Sequence, residues 1–382
     1  MLRAAQRHAV AGLALSAALG TIGSVGLAAP ASAHGYHDQR SRAVFVQTDD
    51  PAGNTVVAYH RDRDGTLSQA GSYGTAGAGG VLTGSAVDHL ASQGSLALDR
   101  AHHALYAVNA GSDTVTAFDV SGDTLSRRAV VPSGGSFPVS IAVSGDLVYV
   151  LNARHGGSVQ GFRRSGDGLV PVSGSNRALG LDASAAPEFV NTPGQVAFSP
   201  DGTQLLVTTK ANGNDVDVFD VTRDGSLSAA PTVNNLPGTV PFAVSWDDLG
   251  RLVLAEAGTN SVATFRLDRQ GALHAIDTAA TGQAATCWIV GTGDRFFASN
   301  AGSATLSGYR VGHEGSLTSL GTTGTDPGTV DATITRGGRF LYVQAGGTGQ
   351  VDAYRVGHDG SLTALGSVTV PNAVGGEGIA AG

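Results

Sequence analysis

Short apolar runs separated by glycine, asparagine and aspartate recur along most of the chain, and their length and spacing are those of strands rather than helices. Residues 252–273, LVLAEAGTNSVATFRLDRQGAL, show the unit clearly: an apolar strand, a corner of small residues, a second strand ending on an aromatic, and a polar turn. The aromatic recurs as Tyr59, Phe118, Phe162, Phe219, Phe265, Tyr309 and Tyr354, at intervals of 59, 44, 57, 46, 44 and 45 residues. The two longest intervals carry insertions, a glycine-rich one over residues 71–94 and one with proline and alanine over residues 173–190. Neither has the pattern of a separate domain.

Four strands fit each copy; in the third they are predicted over residues 139–143, 147–151, 158–163 and 169–172. The second strand is apolar on both pleat faces, as in Leu205-Leu206-Val207 and Phe340-Leu341-Tyr342-Val343. A strand without polar alternation must be covered on both sides, which stacking each sheet between two neighbours achieves. Four strands per ~45 residues, repeated radially, make a β-propeller blade. Seven copies therefore predict an all-β, seven-bladed β-propeller with four-stranded antiparallel blades. The first copy begins directly on its second strand, residues 43–48, whereas residues 376–381 read as a first strand. The C-terminal strand is thus expected to join the N-terminal strands and close the ring, leaving no open edge.

The turn between third and fourth strands repeats as Asp64-Gly65, Asp167-Gly168, Asp224-Gly225, Gln270-Gly271, Glu314-Gly315 and Asp359-Gly360. Such pairs suit the positive backbone angles of tight hairpins. Calcium loops would need several spaced carboxylates, which these turns lack.

Arg3 and Arg7, the apolar run over residues 9–28 and the small-residue site Ala31-Ser32-Ala33 predict a cleavable signal peptide over residues 1–33. Residues 34–42 are then a short tail and residues 43–382 the propeller, of a secreted, extracellular protein. With 23 Lys and Arg against 31 Asp and Glu, the net charge is −8. That surface repels phosphate backbones and anionic lipid, so neither nucleic acid nor membrane is expected as a partner. A small-molecule ligand and a monomer are expected instead. The single cysteine, Cys287, has no internal disulfide partner and reads as a small buried residue. His34 and His37 could bind a metal only at the extreme mature N-terminus; no clustered ligand set supports a metal, and no motif implies a cofactor.

The corners after the second strands and the starts of the first strands lie at one end of the axis, where loops of several blades converge on one concavity. The residues ending the second strands align as Gln47, Asn109, Asn152, Thr209, Glu256, Asn300 and Gln344. The amides suit turn chemistry; Glu256 departs from them as a carboxylate, and Lys210 follows Thr209. Arg154 and His155 occupy the third corner. At the first-strand starts lie Phe137, Gln195, Phe242, Trp288, Asp331 and Glu377. An acid–base group and a lysine between aromatic walls make Glu256 and Lys210 the catalytic candidates, with Asn109, Asn152, Gln195, Phe242, Trp288 and Asn300 as ligand-binding candidates.

The wording Gln195-Val196-Ala197-Phe198-Ser199-Pro200-Asp201-Gly202, followed by Val216-Asp217-Val218-Phe219, resembles the lactonase family of seven-bladed propellers, as do residues 105–118 and 296–309. That family includes bacterial 6-phosphogluconolactonases and fungal carboxymuconate-cyclizing enzymes. The resemblance covers residue 43 to the C-terminus and implies a lactonase-like activity. Family enzymes carry histidine or arginine–histidine at the first-strand starts of the middle blades; here those starts read Pro193-Gly194-Gln195 and Pro241-Phe242-Ala243. Glu256 is similar to the family's acidic corner group. Counted back from Phe265 it falls one residue out of register, which would turn it to the other pleat face. A phosphate pocket would want several Arg or Lys, and this rim offers Lys210 and Arg154.

Two readings follow. One is an exported lactonase-like protein hydrolysing or cyclising a small lactone at the axial rim, with Glu256 as base, Lys210 at the oxyanion, and Asn109 and Asn300 positioning the ring. The other is a non-catalytic propeller binding a small molecule, glycan or protein on the same face.

Overall fold

The computed structural model describes residues 42–166 and 168–382. The expected signal peptide, most of the expected tail, His34, His37 and Asp167 lie outside them. Seven antiparallel sheets hold the repeats. Blade two, from the axis outward, is Leu96–Asp99, Ala104–Asn109, Thr114–Ser121 and Thr124–Pro132. The third copy runs Pro138–Ser144, Leu147–Asn152, Ser158–Ser165 and Gly168–Pro171, within two residues of the sequence reading, with Arg177–Ala178 added on Ser158–Ser165.

The second strands are fully buried, as in Ala104–Asn109 and Phe340–Ala345, because each lies mid-sheet with a neighbouring blade on either face. The repeated aromatic sits at a bulge in the third strand of blades one, two, five, six and seven, for example between Ala117 and Phe118. The extra residue sharpens the local twist. Where the aromatic is tyrosine it also ties adjacent blades: Tyr59 Oη donates to Thr369 O, Tyr309 Oη to Ala280 O, and Tyr354 Oη to Gly324 O.

Ile379–Ala381 pairs with Ala43–Gln47 through Val44↔Ala381, Phe45↔Ala380 and Val46↔Ile379, so the C-terminus supplies the first strand of blade one. The innermost strands of successive blades touch in order around the axis, and that of blade seven touches Ile379–Ala381. The ring is closed. In the Asp-Gly hairpins, Asp64, Asp224 and Asp359 each accept the backbone N–H two residues on, so these carboxylates are held by their own turns.

Candidate functional site in the axial channel

Four second strands end on the side chains singled out above. Asn109 donates to Thr114 Oγ1 at 3.0 Å and Thr116 Oγ1 at 2.9 Å. Asn300 donates to Thr305 O and Oγ1 and to Ser307 Oγ, and accepts from Thr286 Oγ1 at 2.6 Å. Asn152 reaches Ser133 O at 3.5 Å. Glu256 pairs with Pro241 and Ser261 as Asn300 pairs with Thr286 and Thr305, which puts it in register with the asparagines. Its Oε2 accepts Ser261 Oγ at 2.6 Å and Thr259 Oγ1 at 3.4 Å. Burial pushes its carboxyl above the usual range, and the two hydroxyls pull it partly back. The residues out of step are Gln47 and Gln344. By pairing, Thr48 and Ala345 hold the Asn109 position, so those glutamines sit one residue early and face the other way.

Lys210 follows Thr209 with φ +54° and is 1 % exposed. Its Nζ donates to Ala91 O and Phe189 O at 2.6 Å and to Thr192 Oγ1 at 3.1 Å, and lies 5.3 Å from the Phe242 ring centre. Phe242 meets Trp288 edge-on at 4.9 Å. Lys210, Phe242 and Trp288 are therefore brought together. Gln195 stands beside them, clasping Val244 through N–H···Oε1 at 2.6 Å and Nε2–H···O at 3.3 Å. Glu256 shares no partner with Lys210; Asn109 and Asn300 are engaged within and between the blade corners, whereas the buried Oδ1 of Asn152 has no partner among the described residues.

Lys210 is bonded on both sides by the two insertions, and the first of them fills the channel. Residues 71–74 of that stretch extend the outer strand Leu67–Gly74. The remainder crosses the axis before blade two begins at Leu96. Ser92 O accepts Trp288 Nε1, and Ser92 Oγ donates to Val139 O at 2.8 Å. Gln93 N donates to Gly194 O, Gln93 O accepts Ser140 Oγ, and its amide takes Ile289 N–H at 2.9 Å while donating to Ile289 O at 3.1 Å. Ile141 N donates to Gly94 O. Residues 92–94 thus hydrogen-bond to the inner strands of blades three, four and six, satisfying edge groups that would otherwise face an empty channel.

Around this plug stand four carboxyls, Asp49, Asp88, Asp331 and Glu377, each at most 4 % exposed. Glu377 accepts Ser92 N–H at 3.2 Å and makes a short contact with Ser92 Oγ, whose one proton serves Val139 O, and its own N–H donates to Asp49 Oδ2 at 2.8 Å. Asp88 Oδ1 caps Leu90 N and Ala91 N. Asp88 also meets the Glu377 carboxyl, a contact that needs a proton on one of them. Burial raises Asp49 and Asp331 to about 7 and raises Asp88 and Glu377 as well. Burial lowers Lys210 to about 8, against the pull of Asp88, Cys287 and Glu377. The Cys287 thiol is pushed up to about 12, also by burial. Among the described residues no group of three or more His, Cys, Asp or Glu is arranged to hold a metal ion.

On the rim, a cavity of 160 Å³ lies under Arg154, His155, Glu188 and Asn212. Arg154 Nε bonds Glu188 Oε1 at 2.7 Å and its guanidinium stacks 4.2 Å over Phe137. Glu188, held down to about 2 by Arg154, also accepts Thr83 N–H at 2.7 Å and so joins the two insertions.

The family model described as "Lactonase, 7-bladed beta-propeller" matches residues 34–180 and 82–375. The chain belongs to this lactonase family. No curated protein is found to match it. Among solved structures, a putative 6-phosphogluconolactonase from Bacteroides fragilis is 19 % identical, with a TM-score of 0.70 over 90 % of this chain and 98 % of that one. A Lactobacillus plantarum protein is 22 % identical, with a TM-score of 0.71 over 89 % and 98 %. A periplasmic gluconolactonase of Pseudomonas aeruginosa is 18 % identical, with a TM-score of 0.70 over 88 % and 98 %. At these identities the solved structures establish the fold.

Within the family fold, Asp88, Ser92 and Gln93 are the axial residues that the periodicity left unplaced, because an insertion has no register with the repeat. Leu82 and Leu90, both fully buried, were the available signal that the glycine-rich segment turns inward.

Proposed function

We propose that this chain is an exported lactonase-family enzyme that hydrolyses or closes a small neutral or weakly acidic lactone at the axial rim. The observation that carries the reading is the juxtaposition of Lys210, an amine with a lowered pKa, with the proton-sharing carboxyls of Asp88 and Glu377. In hydrolysis, the ionised carboxyl takes a proton from water as its oxygen attacks the lactone carbonyl. The Lys210 ammonium stabilises the oxyanion, and the protonated carboxyl gives its proton to the departing ring oxygen. The product is the open hydroxy acid. Phe242 and Trp288 supply the apolar walls. Because residues 91 and 92 cap Lys210 and Trp288, turnover requires these two residues to swing aside while Asp88 keeps its place beside Glu377. Glu256, tied to Ser261 and Thr259, has a positioning place at its own corner in this scheme.

Export rests on the leader over residues 1–33, and no helix among the described residues is long and apolar enough to cross a membrane. A lactone panel followed by pH-stat, with the chain beginning at His34, tests the activity. Turnover that falls at least about 100-fold in Lys210→Met and Asp88→Asn but persists in Glu256→Gln is the expected result. Equal rates in the wild type and Asp88→Asn would remove the carboxyl pair from the mechanism. The plug also favours a second reading, a non-catalytic propeller whose channel is permanently sealed. No turnover of any lactone by the folded wild type would select it.

A further inference from the structure

Beyond the plug, toward the other end of the axis, the channel carries a second concavity, whose walls begin at Ile141 and Val244, both bonded to the plug. A cavity of 420 Å³ is bounded by the inner strands of blades three, four and five, and one of 560 Å³ continues outward between blades four and five. The two share Ser199, Pro200 and Trp246 and so form one groove, each part within the range of about 300–1,000 Å³ usual for small-ligand sites. Trp246 ends the strand Pro241–Trp246, is partly exposed, and lies where the two parts meet. Its indole N–H is a donor with no partner among the described residues, a costly arrangement for a buried group. Pro200 beside it is exposed.

The outer part of the groove adds Asp201, Asp220, Asp268 and Arg269. Carboxylates only accept hydrogen bonds, so they select a ligand rich in donors. Three of them against one arginine repel anions. Asp201 Oδ1 and the Asp268 carboxylate are engaged by their turns, whereas Asp220 is exposed and has no side-chain partner among the described residues. A flat aromatic beside an exposed proline, flanked by hydroxyl acceptors in an elongated groove, matches one ligand class. A pyranose ring presents an apolar C–H face to the negative face of an indole, and hydroxyls around its edge.

We propose that this groove binds a neutral oligosaccharide, with one sugar ring stacked on Trp246 and hydroxyls of the adjoining rings donating to Asp220 and Asp201. Trp246, Asp220 and Asp201 take no part in the rim chemistry, so the proposal stands whether or not the rim is catalytic.

Isothermal titration of the whole secreted chain with cellohexaose, maltohexaose, chitohexaose and, as a charge control, hexalysine tests it. At least one sugar is expected to bind saturably, with affinity reduced about tenfold or more in Trp246→Ala, less in Trp246→Phe, and measurably in the surface variant Asp220→Ala. Absence of binding by all three sugars to the folded wild type overturns the proposal. So does sugar binding that survives Trp246→Ala in a folded variant, or binding of hexalysine alone, which would make the groove a site for cationic peptide. Should Trp246→Ala fail to fold, Asp220→Ala and Trp246→Phe decide, and undiminished affinity in both overturns the assignment.

Discussion

Lys210 directs its three N–H bonds at protein acceptors, the carbonyls of Ala91 and Phe189 and the hydroxyl of Thr192. Replacing it with methionine preserves much of the stem's packing but strands the buried carbonyl of Ala91 and the partly buried one of Phe189. The expected cost is about 2–4 kcal/mol, read as a lower urea midpoint at unchanged m value. Glu256→Gln keeps an oxygen for Ser261 and should move stability by less than about 1 kcal/mol. An equal loss in both variants would mean that the two side chains belong to one network, contrary to their separate partners. The sequence showed both residues as departures from a repeat, because a charge among amides is visible without coordinates. What each side chain touches was not visible: Lys210 is held by insertions that have no repeat register, and Glu256 by hydroxyls of its own corner. Gln47 and Gln344 show the same limit, since a one-residue ambiguity at a strand end reverses the face.

At the scale of elements, the blades and the plug are held differently. A blade strand is fixed by ladder bonds and by neighbours on both faces, which is why its apolar run was legible. The segment over residues 88–95 is fixed mainly by polar side-chain bonds to inner strands, and its glycine-rich composition marked it only as an insertion without the pattern of a separate domain. Trp288→Phe tests the difference. It removes the donor to Ser92 O while keeping an aromatic against Phe242. A local loss of about 1–3 kcal/mol should open the plug without opening the ring. Hydrogen exchange at Leu90, Ala91 and Ser92, whose N–H groups bond Asp88 and Glu377, is expected to quicken about tenfold or more. Exchange in Gln204–Thr208 should stay unchanged. Uniform acceleration in both places would show that plug and ring open as one unit.

For the whole molecule, the buried carboxyls tie stability to pH with a definite sign. Asp49 and Asp331, raised from 3.8 to about 7, keep protons in the folded state that the unfolded chain has already released above pH 4. Asp217 and Asp352, raised to about 6 by burial, act in the same direction. The folded state binds more protons across that interval, so these groups make stability fall as pH climbs from about 4 to 7 and level off beyond it. Lys210 works oppositely: lowered from 10.5 to about 8, it lets stability recover as pH rises between those values, where only the unfolded chain stays protonated there. On the acid side, Glu188, lowered to about 2, loses its contribution as pH drops below 4.5. Melting temperature scanned from pH 3 to 10 should therefore peak near the lower end of the range, between about 4 and 5, and pass through a minimum between about 7 and 8. The double variant Asp49→Asn, Asp331→Asn should flatten the descent between 4 and 7, because its amides have no proton to lose and can still accept the Glu377 and Ala332 N–H bonds. A descent of unchanged depth in that variant would place the titrating groups elsewhere than the channel.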